Sequence, residues 1–188
     1  GCSAMCLYCY LVCTYYTSAY LRVFVNREAM MAKLKRAAEK YPGSVFEIGS
    51  NSDLVLENSV SGNLEWTIEQ FADVRNARLT LPTKFEMVDP LLNLRHGHNV
   101  TIRVSLNPDE IIRRVEFGTS RLDARIAALN KLYHAGYDVG ILIAPIIMIE
   151  GWQEMYERLF RTMAERIDPD ILRGVPLEII FMTYGLVT

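Results

Sequence analysis

Apolar residues return along this chain with two different periods, and the switches between them predict alternating helices and strands. Asn26 can cap a helix whose apolar positions Met30, Leu34, Ala37, Ala38 and Tyr41 follow the 3.6-residue repeat, and Pro42-Gly43 stops it. Ser44 to Ile48 then reads as a strand. A second helix is expected over about Leu64 to Arg75, a strand over Arg78 to Leu81, a short helix near Val88 to Leu94 and a strand over Val100 to Asn107. Ser120 to Ala135 reads as a longer helix ended by Gly136. Val139 to Met148 is a buried strand, Trp152 to Arg166 an amphipathic helix through Met155, Leu159 and Met163, and Leu177 to Met182 a last strand.

Strands separated by helices imply a parallel sheet, either open and doubly wound or curled into a barrel. Alternation in Val100-Thr101-Ile102-Arg103-Val104-Ser105-Leu106-Asn107 leaves one face apolar and the other polar. A strand covered by helices on both sides would be apolar on both. The polar face therefore looks into a polar cavity, lined by Glu47, Thr80, Arg103 and Ser105, while Leu79, Leu81, Ile102 and Val104 pack beneath helices. A partial barrel fits this pattern; the plainer alternative is one solvent-exposed sheet face.

The 188 residues are 51% hydrophobic, with seven Pro and eleven Gly and neither repeats nor charge blocks, as in one folded α/β domain over residues 1–188. The 20 Lys and Arg against 22 Asp and Glu give a net charge of −2, so contact with a polyanion has to come from local basic clusters. No stretch approaches the roughly 18 consecutive apolar residues of a membrane span. Leu11 to Val25 comes nearest, and Thr14, Tyr15, Tyr16, Thr17, Ser18 and Arg22 interrupt it. The chain begins at Gly1, so its ends are expected to be fragment boundaries.

Cys2, Cys6 and Cys9 fall within eight residues in the spacing C-x3-C-x2-C. A close, odd set suits a metal site better than a disulfide framework and favours the reducing cytoplasm. A structural zinc knuckle would want a fourth Cys or His. With Cys13 as fourth ligand the run becomes C-x3-C-x2-C-x3-C, close to the ferredoxin pattern of an electron carrier.

Followed by an aromatic residue, this spacing resembles the cluster loop of the radical S-adenosylmethionine (SAM) enzymes. In that superfamily three thiolates hold a [4Fe–4S] cluster and leave one iron open to the amino and carboxylate groups of SAM. Electron transfer then breaks a carbon–sulfur bond to give a 5′-deoxyadenosyl radical. Further stretches narrow the resemblance to the spore photoproduct lyase family, which reverses a thymine–thymine photoproduct in DNA. They are Cys6 to Leu11, Phe46-Glu47 leading to Ser52-Asp53, Thr83 to Asp89, Arg103 to Asn107, Phe117 to Arg125, and Ile143 to Ile146 with Glu150-Gly151-Trp152. The resemblance covers nearly the whole chain and implies a partial (β/α)6 barrel. The family's first strand precedes the cysteine loop, so that strand, an N-terminal region and a C-terminal extension are expected to be missing here.

Position by position, the resemblance implies that Cys2, Cys6 and Cys9 hold the cluster and that Tyr8 and Tyr10 stand beside the cofactor and active site. It also implies that Ser52, Lys84, Ser105 and Ala144 contact SAM. All four lie at or just past the C-terminal ends of the expected strands, where barrel active sites are built. Implied partners are DNA carrying a thymine photoproduct and an electron donor such as flavodoxin or ferredoxin, with no membrane. One departure stands out: where the family reads Ala-Cys-Thr-Ser-Asp after Phe-Glu, this chain reads Ile48-Gly49-Ser50-Asn51-Ser52-Asp53. Ser50 occupies the position of the hydrogen-donating cysteine, and its O–H bond is too strong for that role. Cys13 is then the expected donor, unless the same frame acts on another substrate.

His96 and His98 flank Gly97 in a polar turn and read as solvated loop residues rather than metal ligands. Arg113-Arg114 and Arg121 with Arg125 read as solvated helix faces or phosphate contacts, and Met30-Met31 as core filling.

Overall fold

The computed structural model describes residues 2–9, 11 and 23–181. Five strands form one sheet: β1 (Ser44–Glu47), β2 (Ala77–Thr83), β3 (Val100–Ser105), β4 (Asp138–Ile146) and β5 (Leu177–Phe181). Every neighbouring pair is parallel and the order follows the chain, β1-β2-β3-β4-β5, as consecutive crossovers through helices require. The helices are α1 (Arg27–Lys40), α2 (Leu54–Ser61), α3 (Asn63–Phe71), α4 (Asp109–Val115), α5 (Leu122–His134), α6 (Trp152–Arg166) and α7 (Pro169–Gly174).

Leu79, Leu81, Ile102 and Val104 are completely buried on the helix-covered face. The opposite face is polar, as the alternation requires. Arg103 crosses it from the central strand to both edge strands, reaching Glu47 Oε2 at 2.5 Å and Glu178 Oε2 at 3.2 Å. One side chain can span β1, β3 and β5 because the sheet is curled. Gly140, opposite Arg103 in the register, makes room for it: a Cβ there would stand 2.9 Å from Arg103 Cγ.

Several elements differ from the expected ones. In α1 only Met31 and Ala38 are buried, whereas Met30 and Tyr41 lie exposed, and Asn26 precedes the helix without making a side-chain cap. The helix expected over Leu64 to Arg75 ends at Phe71, and a second helix, α2, precedes it across Gly62. That glycine adopts φ 61° and brings no capping side chain. Asn58 supplies one instead, its Oδ1 accepting from the Leu64 and Glu65 amides at 3.0 and 3.2 Å. Around Pro90 the expected helix is a single 3₁₀ turn, Asp89–Leu91, since seven residues with a proline inside cannot sustain an α-helical ladder. Helices α4 and α7 have seven and six residues, too few for a periodic pattern to show.

His96 is buried rather than solvated. Its ring stacks on Tyr137 at 4.0 Å and approaches the Ala135 carbonyl at 3.2 Å, while His98 approaches the Gly136 carbonyl at 3.0 Å. Both pin the turn before β3 to the turn before β4. Among the described residues no helix is long and apolar enough to cross a membrane.

Candidate active site

Three parallel strands end together, and their ends carry the polar groups. β2 runs into Lys84, β3 stops at Ser105, and Ala144 lies near the end of β4. The Lys84 ammonium donates to Ser105 Oγ at 2.6 Å and to the Ala144 carbonyl at 3.0 Å. Its base is fixed by Asp53, whose carboxylate accepts from the Lys84 amide at 2.9 Å and the Thr83 hydroxyl at 2.9 Å. Asp53 also caps α2 through the Val55 and Leu56 amides. The Ser52-Asp53 segment is thereby held against the end of β2. Burial raises the Asp53 pKa above the ordinary carboxylate value, and the four donors oppose that shift.

Behind Lys84 lies Glu116, completely buried. Its Oε1 accepts from Tyr8 Oη and from Asn107 Nδ2 at 3.0 Å and stands 3.4 Å from Lys84 Nζ. Its Oε2 takes Arg125 Nη2 at 2.5 Å. Burial alone would raise the Glu116 pKa, but the Lys84 and Arg125 charges hold it down to about 2. Burial lowers that of Lys84, against the pull of Glu116. Arg125 is also completely buried and donates to the carbonyls of Ser120 at 2.8 Å and Ser105 at 2.9 Å. Asn107 in turn accepts from Tyr156 Oη at 2.9 Å. Two cations thus share one carboxylate, leaving one positive charge over at the Lys84 end, the part of the cluster that reaches solvent.

The cysteine loop closes the same site. Cys6 pairs with Glu116 as an isolated antiparallel bridge, flanked by the bonds from Leu7 N to Val115 O and from Gly118 N to Ala4 O. This short ladder turns Cys6 inward beside Glu116 and sends Met5, Leu7 and Phe117 outward, where they are exposed. Tyr8 brings its hydroxyl to Glu116 and its ring within 5.6 Å of Lys84 Nζ. Cys2 and Cys9 are half-buried against the core. Burial, with the Glu116 charge, pushes the Cys6 thiol up to about 11. A bound cation would reverse that bias. Among the described residues no three His, Cys, Asp or Glu side chains converge on a single metal ion. The three thiols of the loop are soft ligands of the kind that iron–sulfur groups take.

The spore photoproduct lyase family model matches residues 1–187. The chain belongs to the spore photoproduct lyase family. It is 36% identical over 182 residues to the spore photoproduct lyase of Bacillus subtilis (strain 168), covering 96% of this chain and 53% of that one. For the Clostridium acetobutylicum lyase the identity is 32% over 169 residues, covering 89% and 50%. A solved spore photoproduct lyase variant with bound AdoMet and dinucleoside spore photoproduct superposes with a TM-score of 0.92 at 34% identity, over 98% of this chain and 55% of that one. A solved anSMEcpe with bound AdoMet and a peptide, 14% identical at a TM-score of 0.63 over 100% and 51%, shares the fold. The chain spans about half the length of the curated relatives it matches.

Of the family positions read from the sequence, Lys84, Ser105 and Ala144 meet directly, Ser52 precedes the Asp53 that holds the Lys84 backbone, and Tyr8 joins through Glu116. Tyr10 and Cys13 lie outside the described residues. The sequence reading missed Glu116, Asn107 and Tyr156, and it read the buried Arg125 as a solvated helix face or a phosphate contact. Arg125 did carry a signal: it falls three residues after Leu122 and four before Leu129, inside the buried stripe of α5. Glu116 carried none, sitting between exposed Arg114 and exposed Phe117.

Proposed function

We propose that this chain is the radical SAM core domain of a DNA-repair lyase that reverses the thymine–thymine spore photoproduct. The observation that carries the reading is the Lys84 ammonium, aimed by Ser105 and Ala144 from a site with surplus positive charge, beside a loop of three thiols. Cys2, Cys6 and Cys9 would hold a [4Fe–4S] cluster, and buried Cys6 with half-buried Cys2 and Cys9 supplies the soft thiols that group takes. When bound, the cluster supplies the electron that cleaves the carbon–sulfur bond of SAM. Lys84 fits the methionyl carboxylate, because a cation in a partly dry site gains more from an anion than it would in water. Ser52 and the Ala144 segment would complete the cofactor cradle. Tyr8, with its hydroxyl committed to Glu116, and Tyr10 are assigned to the active site around it.

Family membership and the AdoMet- and photoproduct-bound relatives support the substrate class: DNA carrying the photoproduct. An electron donor such as flavodoxin or ferredoxin would reduce the cluster, and free thiols on the loop favour the cytoplasm. Ser50 donates to Glu47 Oε1 at 3.3 Å, and as an alcohol it is no substitute for a thiol hydrogen donor. We assign that step to Cys13, four residues beyond Cys9, whose weaker S–H bond would pass its hydrogen atom to the product radical and leave a thiyl.

Lys84→Ala tests the cradle. In the full-length protein with its iron restored, it should weaken SAM binding about 10- to 100-fold, the range of one lost charge-assisted hydrogen bond, and leave iron content unchanged. Unaltered SAM affinity would remove Lys84 from the site.

A further inference from the structure

Arg125 touches no surface, yet it shares Glu116 with the lysine at the mouth of the site. Glu116 neutralises one cation, and both Arg125 and Lys84 lie beside it. The other carboxylate of the region, half-buried Asp53, spends its hydrogen bonds elsewhere. Its four donors are the Val55, Leu56 and Lys84 amides and the Thr83 hydroxyl, at the positive N-terminal end of α2. Arg125 also places the lysine mechanically, since its Nη1 donates to the carbonyl of Ser105, whose hydroxyl takes Lys84 Nζ.

We propose that Arg125 is a specificity-determining positioning residue. By engaging Glu116 and the Ser105 backbone it leaves the Lys84 charge unspent, so that the site selects a ligand bearing a carboxylate. Without Arg125 the full charge of Glu116 falls on Lys84, and an incoming carboxylate meets a neutral pair. Without Glu116 the site carries at least as much positive charge as before. The two substitutions therefore act in opposite directions on carboxylate recognition, a distinction that a purely structural ion pair would not produce. This inference rests on the assignment of Lys84 to the ligand carboxylate.

Its test compares binding of SAM with binding of decarboxylated SAM, measured by equilibrium dialysis on full-length protein of matched iron content. Arg125→Gln should reduce the preference for SAM about tenfold while changing the affinity for the decarboxylated compound much less. Arg125→Lys, which keeps the charge, should restore most of the preference. Equal weakening of both ligands by Arg125→Gln would reduce Arg125 to a structural role and overturn the proposal. Should Arg125→Gln fail to fold, Glu116→Gln decides: a preference at or above that of the unmodified protein is expected, and a lower one would overturn the proposal. Lys84→Ala separates the two readings. If it leaves the preference intact, the Lys84 assignment fails; if it removes the preference while Arg125→Gln does not, only the role of Arg125 fails.

Discussion

Cys6→Ala is expected to bring the iron content of the reconstituted full-length protein to background and to abolish formation of 5′-deoxyadenosine. Cys6 is the most deeply buried of the three thiols, and its backbone is fixed on both sides. Gly118 lets the two segments approach: a Cβ there would stand 2.8 Å from the Ser3 carbonyl. The loop geometry belongs to the ladder and not to the sulfur, so the variant should retain the circular dichroism of the unmodified protein. With one of three thiolates gone, two remain for a group that needs three protein ligands to leave one iron open. Cys13→Ala is the comparison, and it should bind iron normally. Loss of iron in Cys13→Ala would mean a closed, four-thiolate cluster of the electron-carrier kind.

Glu116→Ala should lower stability by about 3–5 kcal/mol, read as a shift in the denaturant midpoint, because it strands two buried cations. Arg125 would keep its bonds to the Ser105 and Ser120 carbonyls but lose its only carboxylate among the described residues. Tyr8 and Asn107 would lose an acceptor. The pH dependence follows from the depressed Glu116 pKa. Its stabilisation is fully present above the unfolded-state value of about 4.3 and is lost as pH falls toward 2. Glu116→Ala should therefore flatten the acid limb of the stability profile. A variant as stable as the original, with an unchanged acid limb, would mean that the ion cluster contributes little.

The fold was legible from the sequence because its strands state their environment. Val100 to Asn107 alternates so strictly that the polar sheet face follows from it, and the Arg103 bridge to Glu47 and Glu178 crosses that face. Short elements were not legible. Leu54–Ser61 and Asp109–Val115 owe their helices to Asp53, to the Asn58 bridge and to packing, which an isolated pattern does not reveal. The strand-end residues Lys84, Ser105 and Ala144 were named through the family resemblance, and their places at the strand ends agreed with it. Glu116 was hidden because its burial is created by the cysteine loop more than 100 residues away. A charged residue close to exposed Arg113, Arg114 and Phe117 looks solvated until the other half of its site is known.

The activity proposed for this site is radical repair of a thymine photoproduct. The most direct measurement is an anaerobic assay of the full-length protein with SAM, a low-potential reductant and the dinucleotide spore photoproduct, following 5′-deoxyadenosine and thymine products together. Both should appear, and Cys13→Ala should keep forming 5′-deoxyadenosine while side products replace repaired thymines. Cleavage of SAM without any change in the photoproduct would contradict the claim and point to another substrate on the same frame.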